Sequence, residues 1–266
     1  MNIQPFQEED LEYLKELQPP DWDDITVPHQ TYLNSPFCNP IKVMVDDRLA
    51  GIGTAITHDD TAWLAHIVVH PLYRNKGIGK IITHALIDSI DRQKYETIYL
   101  IATDLGFPVY QRAGFQTDNR YAHFTRQRES ASTSGSSSII AFKEIYSNDV
   151  LALDQYISGE GRKEKIIEYM KTSMLYVTAN RVAGVYFPQL GNGLIIADEP
   201  EAGIELMKLR LEERDFAILP LENKAGLQFL TENNFTPART STRMYLGKKR
   251  TWRPYCLYNR ISGQFG

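Results

Sequence analysis

Arg74-Asn75-Lys76-Gly77-Ile78-Gly79-Lys80 gathers three cationic side chains and two glycines into one short stretch. That combination suits the binding of a phosphate or pyrophosphate. Gly77 and Gly79 let the chain turn tightly and come close to a ligand. Apolar residues at Ile78, Ile81, Ile82, Ala85 and Leu86 fall on one stripe of a helix that this stretch opens. The first-turn N–H groups of such a helix point outward at the positive end of its dipole. The competing reading is a glycine-softened turn whose charges face water. A Walker-type loop is excluded, because it needs a glycine at Arg74 and a Ser or Thr at Ile81. A dinucleotide fingerprint fails at Ile82, where it needs a third glycine.

The elements that must position this stretch flank it. Before it, Ala62-Trp63-Leu64-Ala65-His66-Ile67-Val68-Val69 has the composition of a buried strand, stopped by His70-Pro71. After the helix, Thr97–Ala102 is a second apolar strand. Strand, crossover helix and strand predict a right-handed βαβ unit with its ligand at the carboxyl ends of the strands. Phe107–Arg112 reads as a short helix capped by Gly114 in the left-handed conformation, with Phe115 beginning the closing strand. Upstream, Glu8–Leu17 reads as a helix stopped by Pro19-Pro20, and Ile41–Val45 with Leu49–Ile56 as a hairpin around Asp46-Asp47-Arg48. Between them lies Asp21–Pro40, a loop-rich stretch with Trp22, Asp23, Asp24, His29, Tyr32 and Phe37. Its acidic residues read as solvated or capping, with a substrate contact as the alternative.

The 266 residues are 42% hydrophobic, enough for two domains of ordinary size. A net charge of -4 argues against a nucleic-acid binder. Cys38 and Cys256 have no metal-like spacing and suit a reducing, cytoplasmic setting. No apolar run approaches transmembrane length, so neither membrane nor nucleic acid is expected as a partner.

The order of helix, hairpin, apolar strand, Arg-x-x-Gly-x-Gly, helix, strand and a short helix ending Tyr110…Gly114-Phe115 resembles the GNAT superfamily of acetyl-CoA-dependent N-acetyltransferases over residues 1–128. The resemblance implies an α/β fold with a mixed sheet and acetyl-CoA as cosubstrate. It implies that Arg74, Asn75, Lys76, Gly77, Ile78, Gly79 and Lys80 hold the coenzyme pyrophosphate. It implies further that the backbone of Ile67, Val68 and Val69 pairs with the pantetheine arm, and that Tyr110 protonates the departing thiolate. Thr103 stands where the family frequently has an asparagine that helps hold the coenzyme. Some members carry a glutamate base at the position of Trp63, which cannot accept a proton.

The chemistry of amine attack on a thioester asks for the same parts. Fixed backbone donors stabilise the carbonyl oxygen, by roughly 2.7–4 kcal/mol for one well-placed donor. A phenol in reach of the sulfur gives general acid help of about 10²–10⁴-fold. Tyr110 has the right group, its other reading being an aromatic that packs the short helix. For the base, alternation puts His66 on the face opposite Trp63, where it reads as a core or sheet-edge histidine unless that face meets the acceptor. His66 and His70 lack a third ligand, so no metal site is expected.

From Arg128 the composition changes to a Ser-rich connector, residues 129–138. Beyond it, residues 139–266 repeat the order of the first domain. Leu151–Ile157 and Arg162–Met174 read as helices, and Met174–Thr178 with Val182–Phe187 as a hairpin around Ala179-Asn180-Arg181. Gly193–Ala197 is a strand, Glu199–Arg214 a helix, Phe216–Leu221 a strand and Ala225–Leu230 a short helix. Asn223 falls where Thr103 does, Leu230 where Tyr110 does and Asn234 where Gly114 does. Where the cradle should be, Asp198-Glu199-Pro200-Glu201 offer carboxylates to the helix dipole and would repel a pyrophosphate. Two GNAT-like acyl-CoA N-acyltransferase domains in tandem are therefore expected, the second degenerate. Its segment Lys248-Lys249-Arg250 with Trp252 reads as a solvated turn.

The expected activity is transfer of an acetyl group from acetyl-CoA to a primary amine, on a small-molecule acceptor rather than a protein. If Asp21, Asp23 and Asp24 face the acceptor, a cationic amine is favoured. A coenzyme-A-binding sensor or scaffold without transfer activity is the alternative. The expected assembly is a monomer built as an intrachain pseudo-dimer, or a homodimer.

Overall fold

The computed structural model describes residues 1–20, 22–126, 138–179 and 181–265. Of the residues singled out in the sequence, Asp21, Asn180 and the connector up to residue 137 lie outside that set. The chain forms two compact units, one of Met1–Thr117 with Met244–Lys249, the other of Asp118–Arg243 with Arg250–Gly266. Among the described residues, no helix is long and apolar enough to cross a membrane.

The first unit holds β1 (Asn2–Pro5), a 3₁₀ helix (Glu8–Tyr13) that continues as α1 (Leu14–Leu17), α2 (Thr26–Leu33), β2 (Cys38–Val45), β3 (Arg48–Thr57), β4 (Thr61–Val69), α3 (Ile78–Asp88), β5 (Thr97–Ala102), α4 (Phe107–Arg112) and the start of β6 (Gln116–Thr125). β1 to β4 are antiparallel neighbours, and β4 pairs with β5 in parallel. The mixed sheet agrees with the α/β expectation.

Each face of this sheet carries its own layer. α3 and α4 cover one face through Ile78, Ile82, Leu86, Tyr110 and Phe115. α3 approaches so closely that a Cβ on Gly53 would lie 2.6 Å from Ile82 Cγ2, which explains a glycine mid-strand. The 3₁₀ helix, α1 and α2 cover the other face, where Phe6, Leu14, Leu17 and Ile25 pack on Ile52 and Val68. Under that layer Lys42 Nζ meets Asp10 Oδ1 at 2.7 Å, with both side chains at most 10% exposed. Asp10 also accepts the Gln7 backbone N–H at 2.7 Å, closing a capping box.

Two sequence expectations need correction here. Asp21–Pro40 is not loop throughout, because it contains α2. Pro28 hid that helix, yet it sits in the first turn, where a missing N–H costs nothing. The alternation that put His66 opposite Trp63 also fails. β4 carries a bulge, in which Ala65 faces Thr54 while Val68 already faces Ile52, and His66 within it has φ of 45°. One extra residue reverses the side that follows. The His66 ring therefore joins the α2 face, beside Trp22, His29 and Tyr32.

The second unit holds the remainder of β6, then β7 (Ile139–Ala141), α5 (Ser147–Ser158), α6 (Lys163–Met170), β8 (Met174–Thr178), β9 (Arg181–Phe187), β10 (Leu194–Ala197), α7 (Pro200–Leu211), β11 (Phe216–Pro220), α8 (Lys224–Glu232), β12 (Thr236–Gly247) as far as Arg243, and β13 (Leu257–Asn259). Its five-stranded antiparallel sheet has the order β13–β10–β9–β8–β7.

The internal repeat extends to single hydrogen bonds. Phe115 N donates to Tyr110 O at 3.0 Å, and Phe235 N to Leu230 O at 3.0 Å. Gly114 and Asn234 both have positive φ, 94° and 63°. Thr103 Oγ1 accepts from Gly106 N, and Asn223 Oδ1 from Gly226 N.

β13 has no counterpart among the strands expected from the residues. It pairs with β10 through Ile195–Asn259 and Ile196–Leu257, while Asn259 Oδ1 accepts Ile218 N of β11 at 2.9 Å and Arg260 N donates to Ile218 O at 3.0 Å. It thus stands between the strands that correspond to β4 and β5. The Asn259 Nδ2 group donates to the carbonyls of Asn192 and Gly193.

Replacing Asp10 by Ala should leave the Lys42 ammonium buried without its partner and destabilise the first unit by about 3–5 kcal/mol in urea unfolding. Asn259→Ala should orphan the Ile218 N–H, lower stability by about 1–3 kcal/mol, and speed hydrogen exchange at β10 and β11 rather than at β4.

Candidate functional site

Two parallel strands part in the first unit. The β4–β5 register runs from Thr61–Thr97 to Leu64–Leu100 and ends there, while β4 continues to Val69. On its other side β4 stays paired with β3, through Val68–Ile52 and Val69–Gly51, and His70 N donates to Ala50 O at 3.0 Å. Backbone groups alternate along a strand. Since His70 and Val68 face β3, the amides of Ile67 and Val69 face the side that β5 has left. Of the three residues assigned to the coenzyme arm, Ile67 and Val69 present their backbone there, and Val68 presents its own to β3.

The cradle follows at once. Pro71–Tyr73 forms a 3₁₀ turn whose cap is His70, with Nδ1 accepting Leu72 N at 3.2 Å. Asn75 and Gly77 both take positive φ, 62° and 80°, and Gly77 is the N-cap of α3. Left-handed residues placed in a turn in this way point neighbouring N–H groups into a concave anion nest. A Cβ on Gly77 would meet nothing within 4 Å, so glycine is required there by φ while the space above it is open. Ile81 N is the first to bond back into the helix, to Gly77 O at 3.1 Å. The first turn has no acidic residue and no side-chain cap, leaving the N–H groups of Ile78, Gly79 and Lys80 without an acceptor among the described residues.

Ile78 is buried and anchors the helix, whereas Arg74, Asn75, Lys76 and Lys80 are exposed around the nest. Arg74 Nε donates to Val69 O at 3.3 Å, which ties the cradle to the open strand edge. Lys76 Nζ sits 5.2 Å from the Tyr73 ring centre.

Tyr110 belongs to the same apolar cluster as the side chains of Ile67 and Val69. Its ring leans over Gly106, where a Cβ would fall 2.7 Å from the ring edge and 3.3 Å from Oη. Burial pushes the phenol's pKa upward, so the proton-bearing form is held. Thr103 is exposed just beyond β5, its hydroxyl engaged at 3.3 Å with Gly106 N. Its observed task is to cap the turn into α4.

The residues that sequence reasoning placed in a loop form a cage on the α2 face. His29 and Tyr32 are buried, Trp22 and His66 half-buried. Tyr32 Oη lies 2.8 Å from His66 Nδ1. Burial first, and His29 second, push the His66 imidazole down to about 3. Asp24 is exposed and accepts Thr26 N at 2.8 Å, a bond that lowers its pKa and marks it as a capping residue for α2. His70 has its own partners, and among the described residues no three metal-ligating side chains converge.

The second unit repeats the frame without the site. Residues 70–77 separate β4 from α3, but only Asp198 and Glu199 separate β10 from α7. Both carboxylates are paired with Arg181. The edge of β10 that would correspond to the open edge of β4 is taken by β13.

The acetyltransferase (GNAT) domain family matches residues 31–125. No curated protein sequence matches the chain. A candidate acetyltransferase of Pyrococcus horikoshii is similar in structure over 100% of this chain and 95% of its own, at 20% identity and a TM-score of 0.82. A GCN5-related N-acetyltransferase of Sphaerobacter thermophilus is similar over 94% and 97%, at 11% identity and a TM-score of 0.66. A tandem GNAT protein from the clavulanic acid biosynthesis pathway is similar over 94% and 99%, at 12% identity and a TM-score of 0.61. Residues 31–125 thus match the acetyltransferase (GNAT) domain family, and the chain as a whole has the fold of a tandem GNAT protein.

Proposed function

We propose that the first unit transfers an acetyl group from acetyl-CoA to a primary amine of a small-molecule acceptor, by direct attack of the amine on the thioester. The observation that carries this reading is the open β4 edge at Ile67 and Val69, continuous with an anion nest and sharing a cluster with Tyr110. The nest at Asn75–Lys80 holds the pyrophosphate, with Arg74, Lys76 and Lys80 adding charge. Ile67 and Val69 take the amide groups of the pantetheine arm as a missing strand would. Thr103 contributes by fixing the turn that carries α4.

Tyr110 supplies the proton that the sulfur needs as it leaves. A phenol whose pKa is raised stays protonated throughout the neutral range and so keeps its O–H available to the sulfur as negative charge develops there. The second unit lacks the nest, the open edge and the phenol, so it holds no coenzyme in this manner. Two cysteines without a disulfide, Cys38 and Cys256, suit a cytoplasmic protein.

Thiol release with a panel of amines tests the reading. Tyr110→Phe should bind acetyl-CoA as the wild type does and lose about 10²–10⁴-fold in kcat. Because burial raises the phenol, wild-type kcat should not fall as pH passes the ordinary phenol value of about 10. Changing Arg74, Lys76 and Lys80 together to Gln should raise the KM for acetyl-CoA at least about tenfold, or about 1.4 kcal/mol, and flatten its salt dependence. Tight coenzyme binding with no turnover of any amine would instead identify a coenzyme-A sensor.

A further inference from the structure

An amine that attacks a thioester must lose a proton, and Trp63, fully buried and 5.1 Å from the Tyr99 ring, has no means of taking it. The bulge of β4 brings up a different group. His66 immediately precedes Ile67, whose amide faces the gap between β4 and β5. The cradle and Tyr110 lie with α3 and α4 on one face of the sheet, and the His66 ring lies on the other. A thioester held in the gap of a single sheet is reached from both faces. Coenzyme from the α3 side leaves the His66 side for the second substrate.

On that side aromatic and imidazole rings pack into one cluster. The His66 ring centre is 5.9 Å from Trp22, 5.4 Å from His29 and 5.7 Å from Tyr32. Trp22 and His66 are its half-buried members, and Phe6, His29 and Tyr32 its buried ones. His29 Nδ1 must donate to Ile25 O, 2.7 Å away, so its Nε2 is a lone pair. That atom is buried and has no partner, in a residue only 1% exposed. A polar atom left so in a native fold asks for a partner that the described residues do not supply. His66 Nε2 likewise makes no hydrogen bond among the described residues.

We propose that His66, oriented by the Tyr32 hydroxyl, takes the proton of the acceptor amine, and that Trp22, His29 and Tyr32 wall an acceptor site for an amine on an aromatic or apolar body. This rests on the acyl-transfer reading. With Nδ1–H donated to Tyr32 Oη, His66 Nε2 is an open lone pair. As the C–N bond forms, the amine nitrogen gives one proton to His66 Nε2. As the C–S bond breaks, its electron pair leaves on sulfur, which takes the Tyr110 proton. The proton on His66 then returns to Tyr110 through solvent, and every atom is accounted for. The resting imidazole is neutral, since its pKa is about 3. The oxyanion forming beside it is the opposite charge that favours the imidazolium during the step alone. Asp24, the described acidic residue nearest in sequence to Trp22 after Asp23, is engaged in capping α2.

The test is His66→Gly, because glycine accepts a φ of 45° without strain. With 2-phenylethylamine and spermidine as acceptors, wild type should prefer the aromatic amine. His66→Gly should keep wild-type affinity for acetyl-CoA and lose about 10²–10⁴-fold in kcat, and added imidazole should restore at least tenfold of that loss. Tyr32→Phe should show a smaller loss in kcat. Unchanged kcat in His66→Gly, or a loss that imidazole does not rescue in a variant that still binds acetyl-CoA, overturns the role of His66. A preference for spermidine overturns the aromatic wall. Failure of wild type to acetylate any amine overturns the acyl-transfer reading itself, and this inference with it.

Discussion

The parting of β4 from β5 after Leu64 and Leu100 is the constraint on which the chemistry of the first unit depends. A strand flanked on one side only leaves half its backbone groups in need of partners. Such an edge ordinarily invites another chain. Here β4 stays extended to Val69 because β3 pairs with it on one side and apolar layers pack on both faces. The edge is therefore rigid before any partner arrives, and preorganised donors need no reordering when charge develops. The cradle depends on the same strand, since Arg74 is tied to Val69 O.

The second unit shows what becomes of the frame when that constraint is lifted. β13 occupies the position between β10 and β11, and Asn259 bridges them with a side chain that reaches Ile218, Asn192 and Gly193. The edge of β10 that a coenzyme arm would use is paired within the chain at Ile195 and Ile196. Charge reversal at Asp198 and Glu199 was visible in the sequence, but the filled edge is the more basic change. A repelled anion returns when salt screens the charge, whereas a paired strand edge stays closed.

The parts of this arrangement that follow local rules were legible from the residues. Gly77, Gly114 and Asn234 announce positive φ by residue type, and all three adopt it. The spacing from Tyr110 to Phe115 and from Leu230 to Phe235 fixed both short helices and their caps. Three features were not legible. The bulge at His66 is one extra residue inside an apolar run, and composition cannot mark an insertion that only pairing with β3 reveals. α2 contains Pro28, whose tolerated place in the first turn depends on where the helix begins. β13 is three residues long, and its pairing with β10 is remote in sequence. Each miss changed the reading of function, since together they hid the cage and the filled edge.

Burial also bears on why the proposed acid and base need not be charged residues. It moves the Tyr110 phenol up and the His66 imidazole down, and each shift favours the neutral form. A carboxylate at the position of Trp63 would sit fully buried, and an ion there without a partner would give up its charge by taking a proton. The apolar strand that keeps the β4 edge rigid therefore disfavours a carboxylate base at that point. A neutral imidazole at the bulge avoids the conflict, because it costs little to bury at rest and becomes charged only when an oxyanion stands beside it. In the proposed mechanism the charge that exists at rest is confined to the cradle, where exposed cations would meet the permanently charged end of the coenzyme. Charge that exists before the reaction is handled at the surface, and charge that exists only during it is handled inside.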